Sequence, residues 1–77
     1  MSTEHPLIAE FPELRNKIHD LKMKDSHFAR LFTEYHEVDH ELHRIDQEIE
    51  TPSDAYTEEL KKKRLNLKDQ LYTLLTK

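Results

Sequence analysis

The chain has 77 residues, with 16 Asp and Glu against 12 Lys and Arg, six His, no Gly and no Cys, for a formal net charge of −4. That length allows one domain with a small core, of the size that commonly leans on a disulfide, a metal or oligomerisation for stability. The absence of Cys excludes disulfides, thiolate ligands and thiol redox chemistry, and the absence of Gly excludes the Gly-rich phosphate loops of nucleotide-binding proteins.

The first ten residues show no apolar period and are interrupted by Pro6, so residues 1–10 are expected to be disordered. The opening Met-Ser-Thr-Glu-His-Pro lacks the basic start and apolar stretch of a signal peptide. No apolar run approaches the ~20 residues of a membrane span. A cytoplasmic protein is expected. Pro12 suits the first turn of a helix, where its missing N–H costs nothing. Leu14, Ile18 and Leu21 follow at i, i+4 and i+7 and predict a short helix over 12–23. The pattern breaks at Lys24-Asp25-Ser26, where Asp25 is a good N-cap for the next helix.

Phe28, Leu31, Tyr35, Val38, Leu42, Ile45 and Ile49 recur at alternating spacings of 3 and 4. This is a heptad seam, and it predicts one helix over 26–50. Thr51-Pro52-Ser53 ends it, because the residue before Pro is pushed out of the α region and Pro has no N–H to donate. Thr51 is the expected cap of a last helix over 54–76, with Pro52 in its first turn and Asp54 near its positive end. Tyr56, Leu60, Leu67, Leu71 and Leu74 form that helix's main stripe, and Leu65, Tyr72 and Leu75 a second apolar edge. Glu58–Lys62 and Glu59–Lys63 are expected i, i+4 ion pairs.

A break as short as 51–53 makes the long helices antiparallel. The expected register sets Ile49 against Tyr56, Ile45 against Leu60 and Val38 against Leu67, with the short first helix closing the open end near Phe28, Leu31 and Phe32. Charge supports the pairing. Residues 26–50 carry Glu34, Glu37, Asp39, Glu41, Asp46, Glu48 and Glu50 against Arg30 and Arg44. Residues 57–77 carry Lys61, Lys62, Lys63, Arg64, Lys68 and Lys77 against Glu58, Glu59 and Asp69. The expected fold is all-α: one domain over 1–77, an antiparallel, coiled-coil-like hairpin with a short N-terminal helix at its open end.

Several blocks carry a family resemblance. They are Pro12-Glu13, Ile18, Leu21-Lys22, Asp25, His27-Phe28, Leu31-Phe32, Val38-Asp39-His40-Glu41-Leu42, and Lys61 with Lys63-Arg64-Leu65-x-Leu67-Lys68-Asp69. Over residues 11–71 the chain resembles the YdcH family of small bacterial proteins of unknown function. The resemblance implies a helical hairpin of coiled-coil character and carries no established activity. It includes an Asp at the position of Asp39, but the family does not require a His at 36. Where this chain has Asp25-Ser26, many relatives resemble Asn-Pro, and both pairs cap and start a helix.

His36, Glu37 and His40 spell H-E-x-x-H, the pattern of a zinc peptidase helix, in which two His one turn apart hold the metal and the Glu is general base. The spacing fits and the context does not. With Val38 in the seam, the motif falls on the outer face of the hairpin, with no walls to exclude water. Asp46 lies at a third ligand's offset, but a Gly turn is needed where this helix has His43. His36, His40 and His43 share a face and offer at most weak chelation of Zn²⁺, Ni²⁺ or Cu²⁺. As a pH sensor the cluster has many carboxylates nearby to accommodate its charge. Lys61 to Arg64 with Lys68 form a basic stretch suited to phosphate contacts, but in an acidic protein a bland pairing with the acidic helix accounts for them. The basic helix lacks Trp, and the net charge disfavours anionic lipid.

No catalytic, cofactor-binding or metal-ligating residue is assigned, and no enzyme is expected. The leading expectation is a non-enzymatic module that binds a protein or itself, most simply as a homodimer, through an edge at Leu65, Tyr72 and Leu75 or the open end near Phe32. The alternative is a nucleic-acid-associated accessory protein using residues 61–68, and the remote one is metal binding at 36–43. No membrane and no small-molecule substrate is expected.

Overall fold

The computed structural model describes residues 5–77. The order is α1 (Pro6–Glu10), a 3-10 turn (Pro12–Leu14), α2 (Arg15–Lys24), α3 (Ser26–Asp46) and α4 (Asp54–Leu75). No strand occurs among the described residues, so the fold is all-α as expected. α3 and α4 form the hairpin, and α1 and α2 pack on it. Their direction is read from the cross-links: Glu41 meets Tyr56, while Glu34 meets Lys63 further along α4.

The core follows the heptad seam for most of its length. Phe28, Leu31, Tyr35, Val38 and Leu42 of α3 are buried together with Leu60, Leu67, Leu71 and Leu75 of α4. Asp25 caps α3, its carboxylate accepting from the His27 and Phe28 amides at 3.0 and 3.1 Å. Two orphan donors of the first turn are thereby satisfied.

The N-terminal segment departs from expectation. Residues 1–4 lie outside the described residues, but residues 6–10 are helical rather than disordered. The reason is tertiary. Leu7 and Ile8 enter the core, at 0% and 6% exposure, and burying two large aliphatic side chains gains about 3–6 kcal/mol against the entropy of ordering so short a helix. Pro6 sits at the helix start, where it costs no hydrogen bond. A five-residue helix is too short to show a period in the sequence.

α3 ends at Asp46, not at residue 50, and the hairpin connection spans 47–53. The Glu48 N–H donates to the Ile45 carbonyl and the Ile49 N–H to the Arg44 carbonyl, both at 3.0 Å. This is the Schellman motif, which needs a left-handed residue just after the helix. In a chain without Gly that residue is Glu48, with φ of 60°. Arg44 Nε donates to Glu50 at 2.9 Å and holds the turn closed. Ile49 is turned out of the seam, at 66% exposure. Ser53, not Thr51, caps α4: its hydroxyl accepts from the Tyr56 amide at 3.2 Å. Asp54 then opens the helix, where a carboxylate complements the helix dipole.

The longer connection changes the pairing at the hairpin tip, where Tyr56 meets Glu41 in place of Ile49. Further along, Val38 and Leu60 line one groove between the helices and Leu31 and Leu67 another. At the other end Leu75 is buried at 1% exposure, because α1 and α2 extend the core there. Ile18 is fully buried beside partly buried Leu14 and Leu21.

Candidate functional site

The H-E-x-x-H stretch occupies the middle of α3, with His36, Glu37 and His40 all exposed. The His36 and His40 rings stack with centroids 6.2 Å apart. Asp39, inside the motif, faces the partner helix. Its carboxylate accepts from the Arg64 guanidinium at 3.0 Å, and its other oxygen lies 3.7 Å from His43. With a side chain only 18% exposed, Asp39 is an interhelical fastener. Among the described residues, no three His, Asp or Glu side chains come together to hold a metal ion.

A histidine that the sequence did not single out lies at the centre of the tertiary contacts. His5 caps α1: its Nδ1 accepts from the Leu7 amide at 3.0 Å. Its Nε2 donates to the Phe32 carbonyl at 2.9 Å. These two bonds require the neutral tautomer with the proton on Nε2. The ring also stacks on Phe32 with centroids 3.6 Å apart, and lies 5.0 Å from the His36 ring. Half-burial pushes its pKa down to about 4, against the partial opposing effect of the bond to the Phe32 carbonyl; the nearby His36 and Lys22 add to the fall. With both nitrogens engaged, His5 has no lone pair for a metal shared with His36. Burial also raises the Tyr35 phenol, with Asp39 contributing.

The basic stretch divides in two. Lys63 pairs with Glu34 at 3.1 Å and Arg64 with Asp39, both across the hairpin, and Lys68 reaches Glu10 of α1 at 3.2 Å. Lys61 and Lys62 turn to Glu58 and Glu59 at i, i+3. The expected i, i+4 pairs are not made: Lys63 is drawn across to Glu34 of α3, and Lys62 turns to Glu59 rather than Glu58. Of the expected docking edges, Leu65 and Tyr72 are exposed at 56% and 46%, whereas Leu75 and Phe32 are buried. Phe32 is covered by His5, so the open end is closed. Among the described residues the exposed large apolar side chains are Met23, Ile49, Tyr56, Leu65 and Tyr72. Among the described residues no helix is long and apolar enough to cross a membrane.

The architecture is a two-helix hairpin closed by a short N-terminal arm and fastened across its helices by Asp39–Arg64, Glu34–Lys63 and Glu10–Lys68. The profile of the family described as "Protein of unknown function (DUF465)" matches residues 28–75, and the chain belongs to that family. The matched stretch begins at Phe28, the first seam residue, and ends at Leu75, the last core residue of α4. Among its relatives are the proteins named "Uncharacterized protein YdcH" from Escherichia coli (strain K12) and from Shigella flexneri. Each is 34% identical over 65 residues, covering 84% of this chain and 88% of the relative. No solved structure matches the chain.

Proposed function

We propose that the protein is a non-enzymatic interaction module that associates with itself, working in the cytoplasm. The observation that carries this reading is the set of large apolar side chains left outside a finished core: Tyr56, Leu65 and Tyr72 along α4, and Ile49 at the hairpin tip. A small helical hairpin gains stability when such surface is covered by another chain. A coiled-coil-like four-helix bundle is the simplest product. Phosphate binding by residues 61–68 has less support, since Lys63, Arg64 and Lys68 are engaged within the chain.

Sedimentation equilibrium from low to high micromolar concentration tests the reading. A mass rising toward the dimer is the expected result, and a monomer throughout overturns self-association. Fluorescence anisotropy with a short labelled RNA at two salt concentrations tests the alternative: tight, salt-dependent binding would move the basic stretch to first place.

A further inference from the structure

The groove between α3 and α4, about 900 Å³, runs along the hairpin and has Val38, Leu60 and Tyr56 among its lining residues. On its α3 wall stand Arg30, Thr33 and Glu37, all exposed. Arg30 and Glu37 are seven residues apart, two helical turns, and so lie on one stripe with the small Thr33 between them. The other charged residues of the groove have partners: Glu34 with Lys63, Glu41 with Tyr56 and Glu59 with Lys62. Arg30 and Glu37 make no ion pair or hydrogen bond with any described residue.

An unpaired cation and an unpaired anion two turns apart on one helix are self-complementary. When a second copy of α3 is laid antiparallel about a two-fold axis near Thr33, each Arg30 faces the other copy's Glu37. A two-fold contact requires this reciprocity, in which residue i meets j and j meets i. Thr33 at the axis is small enough to let the backbones approach, and the second chain covers the groove over Val38, Leu60 and Tyr56. We propose that this face of α3 is the homodimer contact and that two reciprocal Arg30–Glu37 pairs set its antiparallel register. The inference rests on the self-association reading and names its surface. Of the apolar side chains left outside the core the contact covers Tyr56, while Leu65, Tyr72 and Ile49, which do not line this groove, stay outside it.

Charge reversal of the full chain is the test, read as dimer Kd by sedimentation equilibrium. Arg30→Glu and Glu37→Arg alone each place like charges together twice per dimer, and each is expected to weaken the dimer on the order of tenfold or more. The double variant R30E/E37R restores both pairs with the signs exchanged and is expected to return Kd to near the native value. Both positions are exposed and unpaired, so circular dichroism should show unchanged helicity. Dimerisation that is unaffected by the single reversals, or that the double variant fails to restore, overturns the proposal. So does loss of the dimer in Leu65→Glu, which would place the contact on the other edge of α4. A native protein that stays monomeric fails at the earlier step and rejects self-association itself.

Discussion

His5 shows how much one side chain can organise when both ring nitrogens are used. Protonation of Nδ1 converts the acceptor for the Leu7 amide into a second donor and removes the cap of α1. Because the folded pKa of about 4 lies below the ordinary 6.5, the unfolded chain binds the proton more readily. The contribution of His5 is thus complete above about pH 6.5 and is lost as the pH falls toward 4. An NMR titration of the His5 ring should give a midpoint near 4, and His5→Gln should flatten the fall in stability between pH 6.5 and 5; a midpoint near 6.5 would contradict the observed capping. Glu48 is the second special residue. Its left-handed backbone is forced by the Schellman motif, and the only residue that takes that conformation without a Cβ penalty is absent from the chain. Glu48→Gly is therefore expected to stabilise by about 0.5–1 kcal/mol, raising Tm by roughly 3–6 °C. Calorimetry of the variant checks this, and an unchanged or lowered Tm would show that the turn carries no strain.

At the level of elements, the α3–α4 pairing combines an apolar seam with two cross-helix ion pairs, Asp39–Arg64 and Glu34–Lys63. The better of the two is Asp39–Arg64, because Asp39 is largely covered. A double-mutant cycle with Asp39→Asn and Arg64→Gln should give a coupling of about 0.5–1 kcal/mol, toward the upper end for such pairs. Zero coupling would reduce the pair to a surface coincidence. Asp39 was read only as part of a motif on the outer face, whereas it directly follows the seam residue Val38 and reaches across to α4. Its partner was not legible either, because Lys63 and Arg64 read only as interruptions of the α4 stripe. The seam residues Phe28, Leu31, Tyr35, Val38 and Leu42 were legible in full from their spacing. Ile49 matched the same spacing, and failed as a core residue because α3 ends at Asp46 in a Schellman turn through Glu48, ahead of Ile49. Periodicity continues through a cap that only the backbone hydrogen bonds reveal.

For the whole molecule, a stability of about 4–12 kcal/mol is the ordinary range for 77 residues. Phe28, at 0% exposure, joins α3 to the core, and Phe28→Ala should cost about 3–5 kcal/mol. At the low end of the stability range the loss is enough to unfold much of the population. Leu65→Ala, by contrast, should change stability by no more than about 0.5 kcal/mol, because Leu65 lies outside the core. Chemical denaturation of the two variants checks the contrast, and equal losses would mean that the α4 edge is already covered by a second chain or by the core.

What the sequence by itself determined was the helical class, the seam, the cap at Asp25 and the antiparallel hairpin. All of these follow from local periods, from Pro at fixed places and from the opposite charges of neighbouring segments. The tertiary structure alone decided the register, the fate of Ile49 and Leu75, and the helix at 6–10. The physical reason is the same in each case. A register depends on where a loop closes, and a five-residue helix exists only because Leu7, Ile8 and the His5 ring find a surface made by residues far away in the chain.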